Sequence, residues 1–124
     1  MTQLKENRFT GPIHDLLYRL GIVPNSISFL HTAAAIQLAL QNPDTLLLVT
    51  KLLYPIVAQQ FHTNWQTIER SLRRSITIAW NTDPQLLSEL ARHPLTEKPT
   101  PGQFLSIAAN YLSRDPGITD APAQ

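Results

Sequence analysis

The stretch YPIVAQQFHTNWQTIERSLRRSITIAW, residues 54–80, decides the fold of this chain. Apolar residues recur in it at steps of three and four from Ile68 to Ala79, and that spacing places them on one face of an α-helix. A shorter apolar segment, residues 55–61, precedes this helix. Two helical segments joined by a short connection predict a helix-turn-helix.

The connection between the two segments is short and polar. His62 and Thr63 form it, and Thr63 and Gln66 have the spacing of a capping box at the start of the second helix. Ala58 is small enough to let the second helix cross closely over the first. Trp65 is expected to pack against the preceding helix rather than contact a partner. The side chains expected to lock the pair are Val57, Phe61, Ile68 and Leu72.

The opposite face of the second helix is polar and carries three arginines. Its residues are Gln66, Thr67, Glu69, Arg70, Arg73 and Arg74. In a major groove, an arginine can donate to guanine O6 and N7, a carboxylate can accept from the cytosine amine, and other arginines can hold phosphates. The same pattern also suits an amphipathic core helix whose charged face is only solvated. From these residues alone, both interpretations stay open.

The remaining chain also has helical spacing and no convincing alternating strand. Further helices are expected over about residues 12–20, 26–40, 43–53, 84–91 and 101–112. Gly21 suits the position just after a helix, Asn25 or Ser26 suits an N-cap, and Thr100 with Gln103 repeats the capping-box spacing. The sequence predicts an all-α, compact bundle of six to seven helices, with one domain over residues 1–113 and a flexible tail over 114–124.

Composition and charge narrow the class of protein. The chain has 124 residues, of which 43% are hydrophobic and 15% charged, as in ordinary globular domains. Net charge is +1, but residues 51–80 alone carry +3, a local attraction for an anionic partner. The N-terminus lacks an apolar signal-peptide core, and the most apolar stretch, residues 45–57, contains a lysine and a proline. A soluble, cytoplasmic protein that does not enter the membrane is expected.

Enzyme and metal chemistry find no support in the residue pattern. There is no cysteine, and the four histidines have no pair at metal-ligand spacing. Ser71 and Ser75 have no histidine–carboxylate arrangement nearby, and the four glycines form no phosphate loop. We expect no enzyme activity, no cofactor and no metal site, and we expect each histidine to lie on the surface or between helices.

Four segments in a fixed order carry a resemblance to a known family. They are LYPIVA (53–58), IERSLRRSI (68–76), AW (79–80) and KPTPGQFL (98–105). Together they resemble the C-terminal DNA-binding effector domain of the sporulation master response regulator, the stage-zero sporulation protein A family. The similarity covers about residues 13–113, nearly the whole chain.

The resemblance implies a compact all-α domain that binds double-stranded DNA and regulates transcription. The target it implies is a short asymmetric box with a TCG-containing core. Glu69 and Arg70 fall on the family's base-contacting pair, Arg70 on guanine and Glu69 on cytosine. The residues expected at the DNA backbone or flanking positions are Thr63, Gln66, Thr67, Arg73 and Arg74. Family members can also contact an RNA polymerase sigma factor and bind DNA as pairs, so both are further expected partners.

The chain departs from the family pattern mainly by losing cations. Thr67 stands where the family has an arginine, Gln59 and Gln60 replace two lysines, and Ala33 and Ala34 replace an arginine–glutamate pair. Each lost phosphate contact lowers nonspecific affinity and its salt dependence. The alternative function is therefore a degenerate helix-turn-helix that has lost DNA binding and acts as a protein-interaction module. The sequence shows no receiver domain, and its start at Met1 favours a standalone protein.

Overall fold

The structure, a computed structural model, describes residues 9–114, and all regular elements in that range are helical. The α-helices are α1 (Thr10–Arg19), α2 (Ile27–Gln41), α3 (Tyr54–Gln60), α4 (Trp65–Thr82), α5 (Pro84–Ala91) and α6 (Pro101–Arg114). A 3₁₀ helix, Pro43–Leu47, and a π-helical turn, Val49–Leu53, lie between α2 and α3. The predicted all-α bundle is confirmed. Arg114 ends α6, and the rest of the predicted tail, residues 115–124, lies outside the described residues.

Helix α2 is the centre of the bundle. It packs against α1, α3, α4 and α6, and apolar residues lie on most of its circumference. The core that forms around it takes in fully buried side chains from α1 through α6, among them Leu17, Phe29, Ile36, Tyr54, Leu72 and Phe104. Because α2 anchors both helices of the predicted helix-turn-helix, the core fixes their position. Within residues 9–114 no helix is both long and apolar enough to cross a bilayer.

Gly21 ends α1 as predicted, although the helix begins at Thr10, two residues before the expected start at Pro12. The Gly21 N–H donates to the Tyr18 carbonyl at 3.0 Å, and the next N–H donates to the Leu17 carbonyl at 3.0 Å. These are the two bonds of a Schellman motif, which requires a left-handed residue at this position. Gly21 has φ +90°, so glycine is the residue that fits.

Gly21→Ala is expected to lower the free energy of unfolding by about 2 kcal/mol, because a left-handed non-glycine residue is strained by about 1–2 kcal/mol. The added Cβ would also lie 2.5 Å from the Thr82 hydroxyl oxygen at the end of α4. Gly11→Ala is the matched control, since a Cβ there meets open space, and it is expected to be neutral or stabilising. Denaturant unfolding of both variants checks this, and equal stabilities would contradict it.

Several helix starts depend on side-chain caps. The Ser26 hydroxyl oxygen accepts the N–H of Phe29 at 3.1 Å, as expected for the N-cap of α2. At the start of α6 the predicted capping box is confirmed. The Thr100 N–H donates to Gln103 Oε1 at 2.9 Å, and the Gln103 N–H donates to Thr100 Oγ1 at 3.2 Å. Asp83 caps α5, which has the predicted range.

The single helix expected over residues 43–53 is wrong. The backbone breaks at Leu48, where φ is −136° and ψ 66°, and divides the segment into the 3₁₀ helix and the π-helical turn. The π-type bond joins the Leu53 N–H to the Leu48 carbonyl at 3.2 Å. Pro55 follows this turn at the second position of α3. A proline has no N–H for the carbonyl four residues back and its ring presses on it, so a wider turn relieves the contact.

Candidate nucleic-acid interface

Helix α3 and the turn after it set the approach of α4. The Thr63 N–H donates to the Ala58 carbonyl at 2.9 Å, and the His62 N–H donates to the Gln59 carbonyl at 3.3 Å. His62 adopts the left-handed conformation, with φ 56°. These bonds form a second Schellman motif, and Ala58 is buried as α3 packs against α4. The predicted helix-turn-helix is present, with α3 and α4 as its two helices.

The N-cap of α4 is Asn64, so the predicted Thr63–Gln66 capping box is wrong. Asn64 Oδ1 accepts from the Thr67 N–H at 2.9 Å and from the Thr67 hydroxyl at 3.0 Å. The Thr63 backbone is already committed to the turn, and Asn64 has the extended backbone of a cap, with φ −110° and ψ 166°. The Thr67 hydroxyl, expected at a DNA flanking position, therefore bonds to the cap.

Helix α4 has one buried and one exposed face. The buried side chains are Ile68, Ser71, Leu72, Ser75, Ile76 and Ala79, which confirms the apolar stripe from Ile68 to Ala79. On the opposite face Gln66, Arg70, Arg73 and Arg74 are exposed, and Glu69 and Thr77 are half-buried. The helix continues to Thr82, two residues beyond the predicted end at Trp80. We call these six residues, from Gln66 to Thr77, the outer face of α4.

Glu69 and Arg73 form an ion pair on this outer face. Arg73 Nη2 lies 3.0 Å from Glu69 Oε2, one helical turn away. The pair is solvent-accessible, so it contributes little stability and can open when a ligand arrives. Within residues 9–114, Arg70 and Arg74 have no hydrogen bond or ion pair. Two guanidinium groups are thus available to a partner without breaking any contact.

Tyr54, the first residue of α3, is buried close to the Glu69–Arg73 pair. Burial raises the pKa of Tyr54 to about 12; the Glu69 carboxylate adds to the rise and Arg73 opposes it. The phenol therefore stays neutral at physiological pH. The influence of both charges on Tyr54 places the start of α3 near this part of α4.

Buried hydrogen bonds join α2 to the inner face of α4 and so fix the direction in which the outer face points. His31 Nδ1 lies 2.7 Å from the Ser71 hydroxyl, and Thr32 Oγ1 lies 2.7 Å from the Ser75 hydroxyl. The His31 ring also packs edge-on against Phe61 in the turn, with centroids 4.7 Å apart. The expectation that His31 lies between helices is confirmed. The two serines, which carried no catalytic arrangement in the sequence, fix the rotation of α4 about its axis.

The stability of the chain is expected to fall as the pH drops below about 6.5, the ordinary pKa of histidine. Burial lowers the pKa of His31 in the folded chain, so the unfolded chain takes up the proton first and is favoured by acid. The loss continues until the folded chain also binds the proton. His31→Gln, which cannot titrate but can still bond to Ser71, is expected to show a smaller slope of unfolding free energy against pH. Equal slopes in denaturant titrations would contradict this.

The structure does not support the expected packing of Trp65 against the preceding helix. Trp65 begins α4 and exposes 37% of its surface, and it lies outside the group of side chains packed on the core. The first position of a helix has no preceding turn to cover it, so its ring is only partly sheltered. It lies one turn before Glu69.

Lys98 also reaches the outer face of α4, although no pattern in the sequence placed it there. It lies in the connection between α5 and α6, and its ammonium donates to the Thr77 hydroxyl oxygen at 3.0 Å. Thr77 belongs to the outer face of α4, so this contact brings a fourth cation to the face that already carries three arginines. Because Lys98 and Thr77 are 21 residues apart, no local pattern in the sequence indicated this contact.

The polar groups of the described residues are otherwise satisfied. Between residues 9 and 114, every buried side-chain nitrogen or oxygen has a hydrogen-bond partner. The same range holds no group of three or more histidine or acidic side chains placed to hold a metal ion. The chemistry available at the outer face of α4 is therefore that of exposed guanidinium, carboxylate, amide and ammonium groups.

A comparison with known families assigns this arrangement. The family described as Sporulation initiation factor Spo0A C terminal matches residues 13–112, most of the chain. The chain belongs to this family. The Spo0A C-terminal domain is a DNA-binding effector domain of a transcription regulator of sporulation, and its family is not an enzyme family. The match spans all of α2 to α5, which include the helix-turn-helix, and the connection to α6 that carries Lys98.

Proposed function

We propose that this chain binds double-stranded DNA sequence-specifically, with α4 in the major groove, and acts as a transcription regulator. The observation that carries the proposal is the outer face of α4. It presents free guanidinium groups on a helix whose other face is locked into the core, within a family of DNA-binding domains. A recognition helix must be held rigidly so that its side chains reach base edges. The bonds from α2 and the turn after α3 supply that rigidity.

The base contacts are assigned to Arg70 and Glu69. Arg70 is exposed and unpaired in the described chain, so its fork can donate to guanine O6 and N7. Glu69 accepts from the cytosine amine once its partner Arg73 turns to a phosphate. In this scheme the ion pair holds both side chains near their binding positions in the free protein.

The flanking contacts are assigned to residues around this centre. They are Thr63, Gln66, Thr67, Arg73 and Arg74. Gln66 and Arg74 are exposed on the outer face, whereas Thr63 and Thr67 are half-buried at the turn and the cap. The backbone amides at the start of α4 are also close to the DNA in this orientation, where the helix dipole favours a phosphate. As a DNA-binding protein the chain acts in the cytoplasm, where the nucleoid lies.

Fluorescence anisotropy with two short labelled duplexes tests the proposal. One carries the TCG-containing box that the family implies and the other is a scrambled control of equal length, and both are titrated at low and at physiological salt. Tighter binding to the box at both salt concentrations supports sequence-specific binding. Binding that is equal for the two duplexes contradicts it for this box. Selection from random DNA then shows whether the chain prefers another sequence or only attracts phosphates.

A second candidate function is a protein-interaction module. It is favoured by large apolar side chains left exposed at the end of α1, in the connection after it and in the first turn of α2. These are Tyr18, Val23, Ile27 and Leu30, with exposures of 67%, 54%, 58% and 44%. Exposed apolar side chains contact other proteins where they form a contiguous patch. An absence of duplex binding even at low salt would make this module the leading function. The family resemblance also predicts two further partners. They are an RNA polymerase sigma factor and a second copy of the chain on DNA.

A further inference from the structure

Lys98 lies outside the helix-turn-helix in sequence but next to it in space. Its ammonium contacts Thr77 at 3.0 Å. Thr77 follows Arg70 by seven residues, so the two lie on one side of α4, about 10 Å apart along its axis. The connection between α5 and α6 therefore adds a cation to the C-terminal half of the outer face.

The position of Lys98 is fixed by the residues that follow it. Pro99 is buried, and Thr100 exchanges two hydrogen bonds with Gln103 at the start of α6. The Lys98 side chain itself is exposed. Because the backbone is anchored, the entropy lost when the ammonium meets an anion is mainly that of the lysine side chain. The neighbouring Glu97 is also exposed, so the local field at this connection is weaker than on α4 itself.

The geometry of a recognition helix gives this cation a target. Such a helix contacts base edges through its N-terminal residues, which here include Gln66, Glu69 and Arg70. Its C-terminal half then leaves the groove and passes the phosphate backbone at the groove edge. We infer that Lys98 binds a DNA phosphate there, as a contact made from outside the helix-turn-helix. This inference rests on the proposed function.

A phosphate contact by Lys98 also compensates in part for the cations that this chain lacks at other positions. The resemblance places lysines or arginines at Gln59, Gln60 and Thr67, where this chain has none. Each neutralised phosphate adds about 0.9 to the slope of log affinity against log salt concentration. Lys98 recovers one such contact. It is a positional contact that carries no sequence information, because phosphates are the same at every base pair.

Salt-dependent anisotropy of Lys98→Ala tests the inference with the box and scrambled duplexes. Affinity at 0.1 M salt is expected to fall about five- to tenfold for both duplexes, with a salt slope smaller by about 0.9. Lys98→Arg keeps the charge and is expected to keep the slope of the parent chain. Arg114→Ala is the control, because it removes the same charge at a different place. Arg114 lies at the far end of α6, about 20 Å along the helix axis from Pro101, the first residue of that helix. The control variant is expected to leave the slope unchanged.

The outcomes separate this inference from the proposed function. If the parent chain binds and prefers the box while Lys98→Ala keeps its affinity and slope, the phosphate contact is wrong and the proposed function stands. A loss confined to the box also contradicts a phosphate role. If the parent chain shows no salt-dependent binding to either duplex, the proposed function itself fails.

Discussion

Arg70→Ala is expected to lose most of its preference for the TCG-containing box over the scrambled duplex. A bidentate arginine–guanine contact provides about 1–3 kcal/mol of discrimination, which corresponds to about 5- to 150-fold in relative affinity. Arg70 is exposed on the outer face of α4 and has no partner among the described residues, so the substitution removes no contact of the folded chain. Stability is expected to stay within about 0.5 kcal/mol of the parent value.

Arg74→Ala is the matched control for this experiment. It removes the same charge from the same face of α4, and it too has no partner within residues 9–114. Its assigned role is a phosphate contact, so it is expected to weaken binding to both duplexes and to keep the preference for the box. If Arg74→Ala lost the preference and Arg70→Ala kept it, the two roles would be exchanged. If both kept it, neither arginine would contact the specifying bases.

Leu72→Ala is expected to destabilise the chain by about 2–5 kcal/mol, the cost of removing a buried leucine and leaving a cavity. Leu72 is fully buried on the inner face of α4, in the core that joins the helix-turn-helix to α2. A domain of this size has about 5–15 kcal/mol of stability in total, so a large share would be lost. Denaturant unfolding followed by circular dichroism measures the change.

Leu47→Ala provides the comparison for that loss. Leu47 is 79% exposed in the 3₁₀ helix, so the same chemical change removes little buried surface and is expected to cost under about 0.5 kcal/mol. A loss in Leu72→Ala no larger than in Leu47→Ala would mean that α4 is not held by the core as described.

The sequence predicted those parts of the fold that depend on local patterns. The stripe from Ile68 to Ala79 predicted α4 because helix periodicity is a property of neighbouring residues. Gly21 and the Thr100–Gln103 capping box were predicted for the same reason, since a cap is completed within a few residues. Once the apolar stripe defined the inner face of α4, helix geometry placed the remaining residues on the outer face. The family resemblance then assigned roles to Glu69 and Arg70, which periodicity alone left open.

Features that depend on contacts between distant residues were missed. Asn64 replaced Thr63 as the cap because the Thr63 N–H is used by the Ala58 carbonyl in the turn. The bond from His31 to Ser71 joins residues 40 apart, and polar pairs of this kind have no periodic signal. Likewise, Lys98 meets Thr77 only because α6 and its anchored start fold back beside α4. The π-helical turn adjoins Pro55, whose missing N–H and bulky ring can end a helix or widen a turn.

Amide chemical shifts during titration with the box duplex would test most directly that the outer face of α4 binds DNA. We expect the largest changes at Gln66, Arg70 and Arg73, with a further change at Lys98. Small changes are expected along the exposed side of α2 at Ile27 and Leu30. The reverse pattern, with changes centred on α2 and none on α4, would contradict the account.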